Sequence, residues 1–295
     1  MRVLLIGGNG QVGHELHRSL APLGDVVVTT RNGELKGGSA LACDLMQPGA
    51  LAAVVDETRP DVVVNATAYT AVDKAESEHD TAFRVNAVAV DELAKECASR
   101  GIPLVHYSTD YVFDGQGNRP YLSDDATSPL GIYGESKLAG EMAIRASGAK
   151  HLILRTAWVY GLHGHNFLKT MLRVGAERDE LRVVSDQIGS PTPAWLIADI
   201  TAEILRQGIG EGGTHHLVSA GQTSWHGFAE AIFDEAVVTG ALQRKPIVHA
   251  IPSSEYPTPA HRPAWSVLDT GSLRRAYGVV LPDWREALHR TMARH

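Results

Sequence analysis

The sequence predicts an α/β fold: a Rossmann-like doubly wound parallel sheet with a smaller mixed C-terminal substrate lobe. Three observations carry this. A β-branched and leucine run, Arg2 to Ile6, stops at glycines and runs into a helical pattern. Further short apolar runs (Asp25 to Thr30, Asp61 to Asn65, Leu104 to Tyr107, His151 to Arg155) alternate with helical stretches, as the strands of βαβ units do. After Gly161 that alternation gives way to shorter elements and to Pro252, Pro257, Pro259 and Pro263.

The first connection is Gly7-Gly8-Asn9-Gly10-Gln11-Val12-Gly13. Glycines let the backbone approach a pyrophosphate, and the following helix offers free N–H groups and the positive end of its dipole. Gly7, Gly10, Gln11, Val12 and Gly13 are therefore candidate cofactor contacts. The spacing is GxxGxxG rather than GxGxxG, and a tight βα turn alone would also use glycines. The second strand ends at Arg31, where an NAD-selective site usually carries an acid. A cation there suits a 2′-phosphate, so NADPH is the expected cofactor, with NADH possible.

Ala40 to Leu45 reads as a third strand ending in Asp44-Leu45. Asp44 could accept from an adenine amino group or cap the helix that begins near Pro48. Ala66-Thr67-Ala68 follows the fourth strand, and residues this small let a cofactor lie against the backbone. Val72 to Arg100 is mostly helical. The next strand ends at Ser108-Thr109-Asp110, and ligands of open parallel sheets bind at strand carboxyl ends, which places Thr109 at the site. Gln116 to Pro129 is a polar loop. Tyr133 and Lys137 then stand four residues apart, on one face of a helix. A cation beside a phenol favours the phenolate and brings a weak acid toward working range.

Two regions are expected: residues 1–158 as an NAD(P)-binding domain, and 159–295 mainly as a substrate-binding lobe. Within the second, Asn166 to Ala176 and Trp195 to Gln207 read as helices. Leu181 to Val184 reads as a strand able to join the main sheet. Gly208 to Gly213 reads as a surface connection, and His163, His165, His215 and His216 as loop residues with no metal role.

A net charge of −7 without a basic block argues against nucleic acid as partner. Hydrophobic residues make up 44% of the chain and charged ones 21%, a globular balance. No apolar run reaches the roughly 18 residues of a membrane span, and the opening run is too short for a signal segment. The two cysteines, Cys43 and Cys97, show no metal spacing and fit a reducing compartment. The expected location is the cytoplasm.

Taken together, Gly7/Gly10/Gly13, Asn65-Ala66-Thr67-Ala68, Ser108-Thr109-Asp110 and Tyr133-xxx-Lys137 resemble the extended short-chain dehydrogenase/reductase family. Segments from both lobes, among them Arg155-Thr156-Ala157-Trp158-Val159-Tyr160-Gly161 and Asp186-Gln187-xx-Gly189-xx-Pro191-Thr192, resemble its nucleotide-sugar C4 ketoreductases. The resemblance implies that Tyr133 gives a proton to the C4 oxygen, that Lys137 lowers its pKa and holds the nicotinamide ribose, and that Thr109 hydrogen-bonds the ketone. It implies cofactor contacts at Gly10, Gln11, Val12, Asp44, Leu45, Ala66, Thr67 and Ala68. Val72, Thr109, Asp110, Tyr111 and Trp158 would meet the deoxysugar. Arg262 and Asn166 are further candidates for a diphosphate or base.

Two departures narrow the expectation. The family's 4,6-dehydratases place an Asp-Glu pair after the Thr, whereas Tyr111 stands at the Glu position here. That favours simple ketone reduction; an epimerase, or a binding subunit that holds NADP without turnover, are the alternatives. Some members form Mg²⁺-bridged dimers through acidic side chains. Glu15 matches one ligand, but Trp195 stands where the other is expected, and indole offers a hard cation nothing. A monomer or weak homodimer without a metal bridge is expected.

Overall fold

The computed structural model describes residues 1–294. The chain forms strand β1 (Arg2–Ile6), helix α1 (Gln11–Leu20), β2 (Asp25–Thr30), β3 (Leu41–Ala42), α2 (Ala50–Thr58) and β4 (Val62–Asn65). Helix α3 (Ala89–Arg100), β5 (Leu104–Thr109), α4 (Ile132–Ala146) and β6 (His151–Thr156) complete the first half. Then come α5 (Phe167–Glu177), β7 (Glu180–Val184), α6 (Ala194–Gln207), β8 (Gly213–His216), α7 (Trp225–Val238), β9 (Ile247–Ile251) and α8 (Trp284–Met292).

Seven strands make one parallel sheet in the order β8-β6-β5-β4-β1-β2-β3. Side chains alternate across a strand, and the core divides accordingly. Val3, Leu5, Val62, Val64 and Val105 pack with Leu16 and Leu20 of α1 and with Ile197 and Ile204 of α6. Leu4, Ile6, Val63, Leu104 and Ile153 face the other way, onto Val54 of α2, Leu93 of α3 and Ile144 of α4. Runs apolar at every position are what a strand covered on both faces requires. A third cluster joins Leu168, Leu181, Phe228, Ile232 and Leu288 in the C-terminal region.

The order of the sheet reverses between β1 and β4, which opens a crevice at the strand carboxyl ends. Three expectations need correction. Glu180–Val184 does not join the main sheet: it pairs in parallel with Ile247–Ile251, because Leu181 and Val183 are drawn onto Phe228 and Ile232. The seventh strand is Gly213–His216, in the stretch read as loop; α6 packs along α1 and delivers the chain to the open edge of β6. The 72–100 stretch is mostly helical, as expected: two short helices, Val72–Ala75 and His79–Phe83, a π-helical turn over Arg84–Val88, and α3. The 40–45 strand shrinks to Leu41–Ala42, and Asp44 lies in a turn where it accepts from Met46 N at 3.1 Å rather than capping α2.

Candidate active site

Gly7 has φ +93°, a conformation costly for a residue with a side chain. A Cβ at Gly13 would lie 2.0 Å from the Gly7 carbonyl oxygen, so only glycine lets α1 start this close to β1. At Gly10 the nearest such contact is 3.5 Å, ordinary van der Waals range. The first turn of α1 carries no acidic residue and no side-chain cap, so its N–H groups face outward free. Here the chain has built a cradle for an anion.

Two clefts meet at this turn. One is lined by Gly7, Gly10, Thr30, Arg31, Asp44, Leu45, Ala66, Thr67 and Ala68. The other is lined by Gly10, Gln11, Val12, Ala66, Thr67, Ala68, Tyr107, Ser108, Tyr133, Lys137 and Thr156. Sharing Gly10 and Ala66 to Ala68, they form one groove from Arg31 to Tyr133. Its donor set fits a dinucleotide: a cation at one end, glycines and a helix N-terminus in the middle, a Tyr-Lys pair at the other. Asn166 lies across it, but not as a diphosphate ligand. Its amide nitrogen is committed to Gln11 Oε1 and Gly161 O, both at 2.8 Å, and its Oδ1 caps α5.

Tyr133 sits in the first turn of α4 and Lys137 one turn on. Glu76 fixes this helix start by accepting from Ile132 N at 3.0 Å. Asn86, buried in the π-helical turn, bonds both the N–H and the C=O of Tyr69 and reaches Ser136 Oγ at 3.0 Å. Glu76 and Asn86 were not singled out from the sequence. Only the folded loop geometry brings them to α4, although a π turn is itself a frequent mark of a functional region.

Burial pushes the Tyr133 phenol above its ordinary value; a hydrogen bond to Thr109 acts the other way, and Asp110 and Tyr111 push it up further. The expected lowering by Lys137 is not what the structure has. Lys137 is itself fully buried, donates to Tyr107 O at 2.7 Å and lies 3.2 Å from His106 Nε2; burial brings it down to about 8. Burial thus holds Tyr133 as a phenol.

Thr109 ends β5, donates to Asp110 Oδ1 at 2.9 Å and accepts from Tyr111 N at 3.2 Å. Tyr111 meets the Tyr133 ring edge-on, centroids 5.4 Å apart. Burial raises Asp110 to about 6, opposed by its bond from Thr109. A carboxyl whose folded pKa is raised stabilises the fold below its unfolded value near 3.8 and loses that contribution as pH rises through about 6. Asp110→Asn is neutral throughout. Its stability relative to the parent should therefore improve between pH 4 and pH 8, by up to roughly 3 kcal/mol. Urea midpoints at the two pH values check this, and a constant difference would contradict it.

Trp158 takes the unusual φ of +48° and stacks flat on Trp225, centroids 3.6 Å apart. Its neighbours Thr156 and Val159 line the groove, while Trp225 lines a second pocket with Phe167, Arg182, Gln187, Tyr256 and Arg262. Trp158 itself lines neither. Arg262 pairs with Asp73 at 2.8 Å, tying the loop after residue 257 to the short helix that Val72 begins. Val72 is not part of the groove lining; Thr70 is. His165 lines the groove and His163 stacks on His14 at 4.1 Å. Trp195 is a core residue donating to Thr291 Oγ1 at 2.9 Å. Among the described residues, no group of three or more His, Cys, Asp or Glu side chains could hold a metal ion.

The family model for the RmlD substrate binding domain matches residues 1–295. The dTDP-4-dehydrorhamnose reductase of Shigella flexneri is 47% identical over 99% of this chain and 97% of its own length. That of Burkholderia thailandensis is 48% identical over 98% and 97%. The chain belongs to the dTDP-4-dehydrorhamnose reductase family. As a member of it, the protein is an oxidoreductase of the extended short-chain dehydrogenase/reductase type. The crystal structure of the Bacillus anthracis dTDP-4-dehydrorhamnose reductase in complex with NADP superposes with a TM-score of 0.91 at 34% identity, covering 100% of this chain and 99% of that one.

Proposed function

We propose that the protein reduces the C4 ketone of dTDP-4-dehydro-L-rhamnose to dTDP-L-rhamnose with NADPH, NADH serving less well, and that Tyr133 gives the proton. The observation that carries this is the single groove joining the glycine turn and Arg31 to Tyr133, Lys137 and Ser108. When bound, the reduced nicotinamide supplies the hydride. The chain's own part is orientation and proton supply. Glycines 7, 10 and 13, with Gln11, Val12 and Ala66 to Ala68, would hold the dinucleotide. Lys137 would meet its nicotinamide ribose, and Asp44 and Leu45 its adenine end. Tyr133 and Thr109 would face the developing alkoxide. Asp110, Tyr111 and Trp158 would border the sugar, with Val72 behind them.

Arg31 is exposed at the groove end, beside Thr30 and Asp44, and no acid replaces it at the end of β2. Arg31→Ala should cost a charge-assisted contact of about 1.5–3 kcal/mol, roughly tenfold or more in kcat/KM with NADPH. NADH turnover should change little. A parent enzyme that uses NADH tenfold more efficiently than NADPH would overturn the preference.

The deciding assay is NADPH oxidation with freshly made dTDP-4-dehydro-L-rhamnose beside other 4-keto sugar nucleotides. An epimerase would consume no NADPH. A regulatory subunit would bind NADP and turn over none of the panel. The reading includes a cytoplasmic protein that needs no metal bridge, which two buried free cysteines and the core position of Trp195 favour. An EDTA-sensitive dimer in sedimentation would count against the latter.

A further inference from the structure

We propose that His106, oriented by Asn65, is a positioning residue for Lys137: it presents its one ring proton to the Lys137 nitrogen and so favours the neutral amine. The proposal deepens the reading above, since it concerns a side chain placed there in the active site. The hydrogen bonds it stands on do not depend on that reading.

Three side chains form a line. Asn65 ends β4, His106 lies in β5 and Lys137 in α4, all three buried. Asn65 Oδ1 accepts from Thr67 N at 3.1 Å and from Thr67 Oγ1 at 2.5 Å. A backbone N–H can only donate, so this oxygen cannot trade places with the amide nitrogen. The Asn65 amide nitrogen therefore faces His106 Nδ1, 3.2 Å away. That makes Nδ1 an acceptor. Burial and the nearby Lys137 hold the ring well below its ordinary pKa, so it is neutral and carries one proton. With Nδ1 accepting, that proton sits on Nε2, pointed at Lys137 Nζ 3.2 Å away.

The count of protons then decides the lysine. As an amine, Nζ donates one hydrogen to Tyr107 O, accepts the His106 proton on its lone pair and keeps one hydrogen for the groove. No donor in the line then meets another donor. As an ammonium, Nζ has no lone pair, and N–H meets N–H either at Lys137 or, with the ring proton moved to Nδ1, at Asn65. The line carries one frustrated contact whenever Lys137 is charged and none when it is neutral, a cost that buried polar groups make large. Burial acts in the same direction, and Glu141, one turn along α4, opposes it.

Apart from His106, no titratable or charged side chain hydrogen-bonds Lys137 Nζ. Tyr133, a turn earlier on α4, is held as a phenol. Arg155 on β6 is taken up by Glu141 at 2.8 Å, and Asp110 after β5 by Thr109 at 2.9 Å. From the helical segments packed against α4, Arg84 is turned to Glu92 at 2.8 Å.

Asn65→Asp tests the parity with almost no change of shape. Its Oδ1 still accepts from Thr67, but its second oxygen accepts from His106, which moves the ring proton to Nδ1 and bares Nε2 to the ammonium. His106→Gln, whose amide can turn its oxygen to Lys137, is the second variant if the first does not fold. Nitrogen NMR of the histidine ring reads the tautomer, and the ε-carbon shift of Lys137, assigned by Lys137→Arg, reads its titration. Expected are an Nε2-protonated His106 in the parent and an Nδ1-protonated ring in Asn65→Asp. The Lys137 midpoint should rise by about one pH unit or more, tenfold in its acid constant, in either variant. In a turnover-competent enzyme, any limb of the pH profile of kcat/KM that follows Lys137 should move with it, which a merely structural role would not produce. An Nδ1-protonated ring in the parent overturns the proposal, as does a Lys137 midpoint unmoved in both variants. These spectra use no substrate, so failure to reduce any 4-keto sugar would sink the functional reading alone.

Discussion

Tyr133→Phe is expected to lower kcat/KM for the 4-keto sugar nucleotide by at least about a hundredfold, within the range of general-acid contributions. Dinucleotide affinity should be nearly unchanged. The substitution removes one oxygen and keeps a ring that already packs edge-on against Tyr111, 5.4 Å between centroids. The α4 start is held by Glu76 and Asn86, neither of which contacts the phenol oxygen, so the fold should not notice. What is lost is the hydroxyl that burial keeps protonated beside Thr109. Thr109 cannot fully replace it, because its single proton is already shared with Asp110. Stopped-flow and steady-state assays at matched NADPH separate the terms. A fall in kcat with KM held marks an interaction made in the transition state. Near-normal turnover in this variant would take the proton donor away from Tyr133.

Local spacing made much of this legible, and long-range pairing did not. Gly7, Gly10 and Gly13 could be read because a strand, a glycine turn and a helix stand next to one another in sequence. Tyr133 and Lys137 could be placed on one face because a helix repeats every 3.6 residues. Gly213–His216 reads as loop in the sequence because a glycine, a threonine and two histidines have no apolar period; its strand state comes from the open edge of β6 beside it. The sign of the Lys137 effect could not be read from the spacing. It depends on the burial of Lys137 and on what its nitrogen meets, Tyr107 O and His106 Nε2, thirty-odd residues earlier in the chain. Asn86 and Glu76 act through backbone groups of Tyr69 and Ile132, contacts no spacing rule announces.

Glu141 belongs to the same class, and its replacement should have the largest effect on stability. Glu141→Ala is expected to destabilise the fold by about 3–5 kcal/mol, because it strands a buried guanidinium. Both Glu141 oxygens are used: Oε1 accepts from Arg155 Nε and Oε2 from Arg155 Nη2, each at 2.8 Å. Arg145 adds a third donor from one turn along α4. Arg155 is 2% exposed, donates to Ser123 O and lies over the Phe113 ring at 5.0 Å, so it cannot swing out to water. Burial alone would raise the Glu141 carboxyl, but the hydrogen bonds and charge of Arg155 outweigh it and hold it below its ordinary value. A depressed folded pKa gives stability that is present above the unfolded value and lost as pH falls through the folded one. The gap between parent and variant should therefore be full at pH 7 and narrow in acid. Pairing the change with Arg155→Met should restore most of the loss, since an apolar replacement of both partners removes the stranded charge. Urea unfolding of the two variants decides it: a single-variant loss under about 1 kcal/mol, the scale of an exposed ion pair, would mean that the bridge joining α4 to β6 is not closed to water.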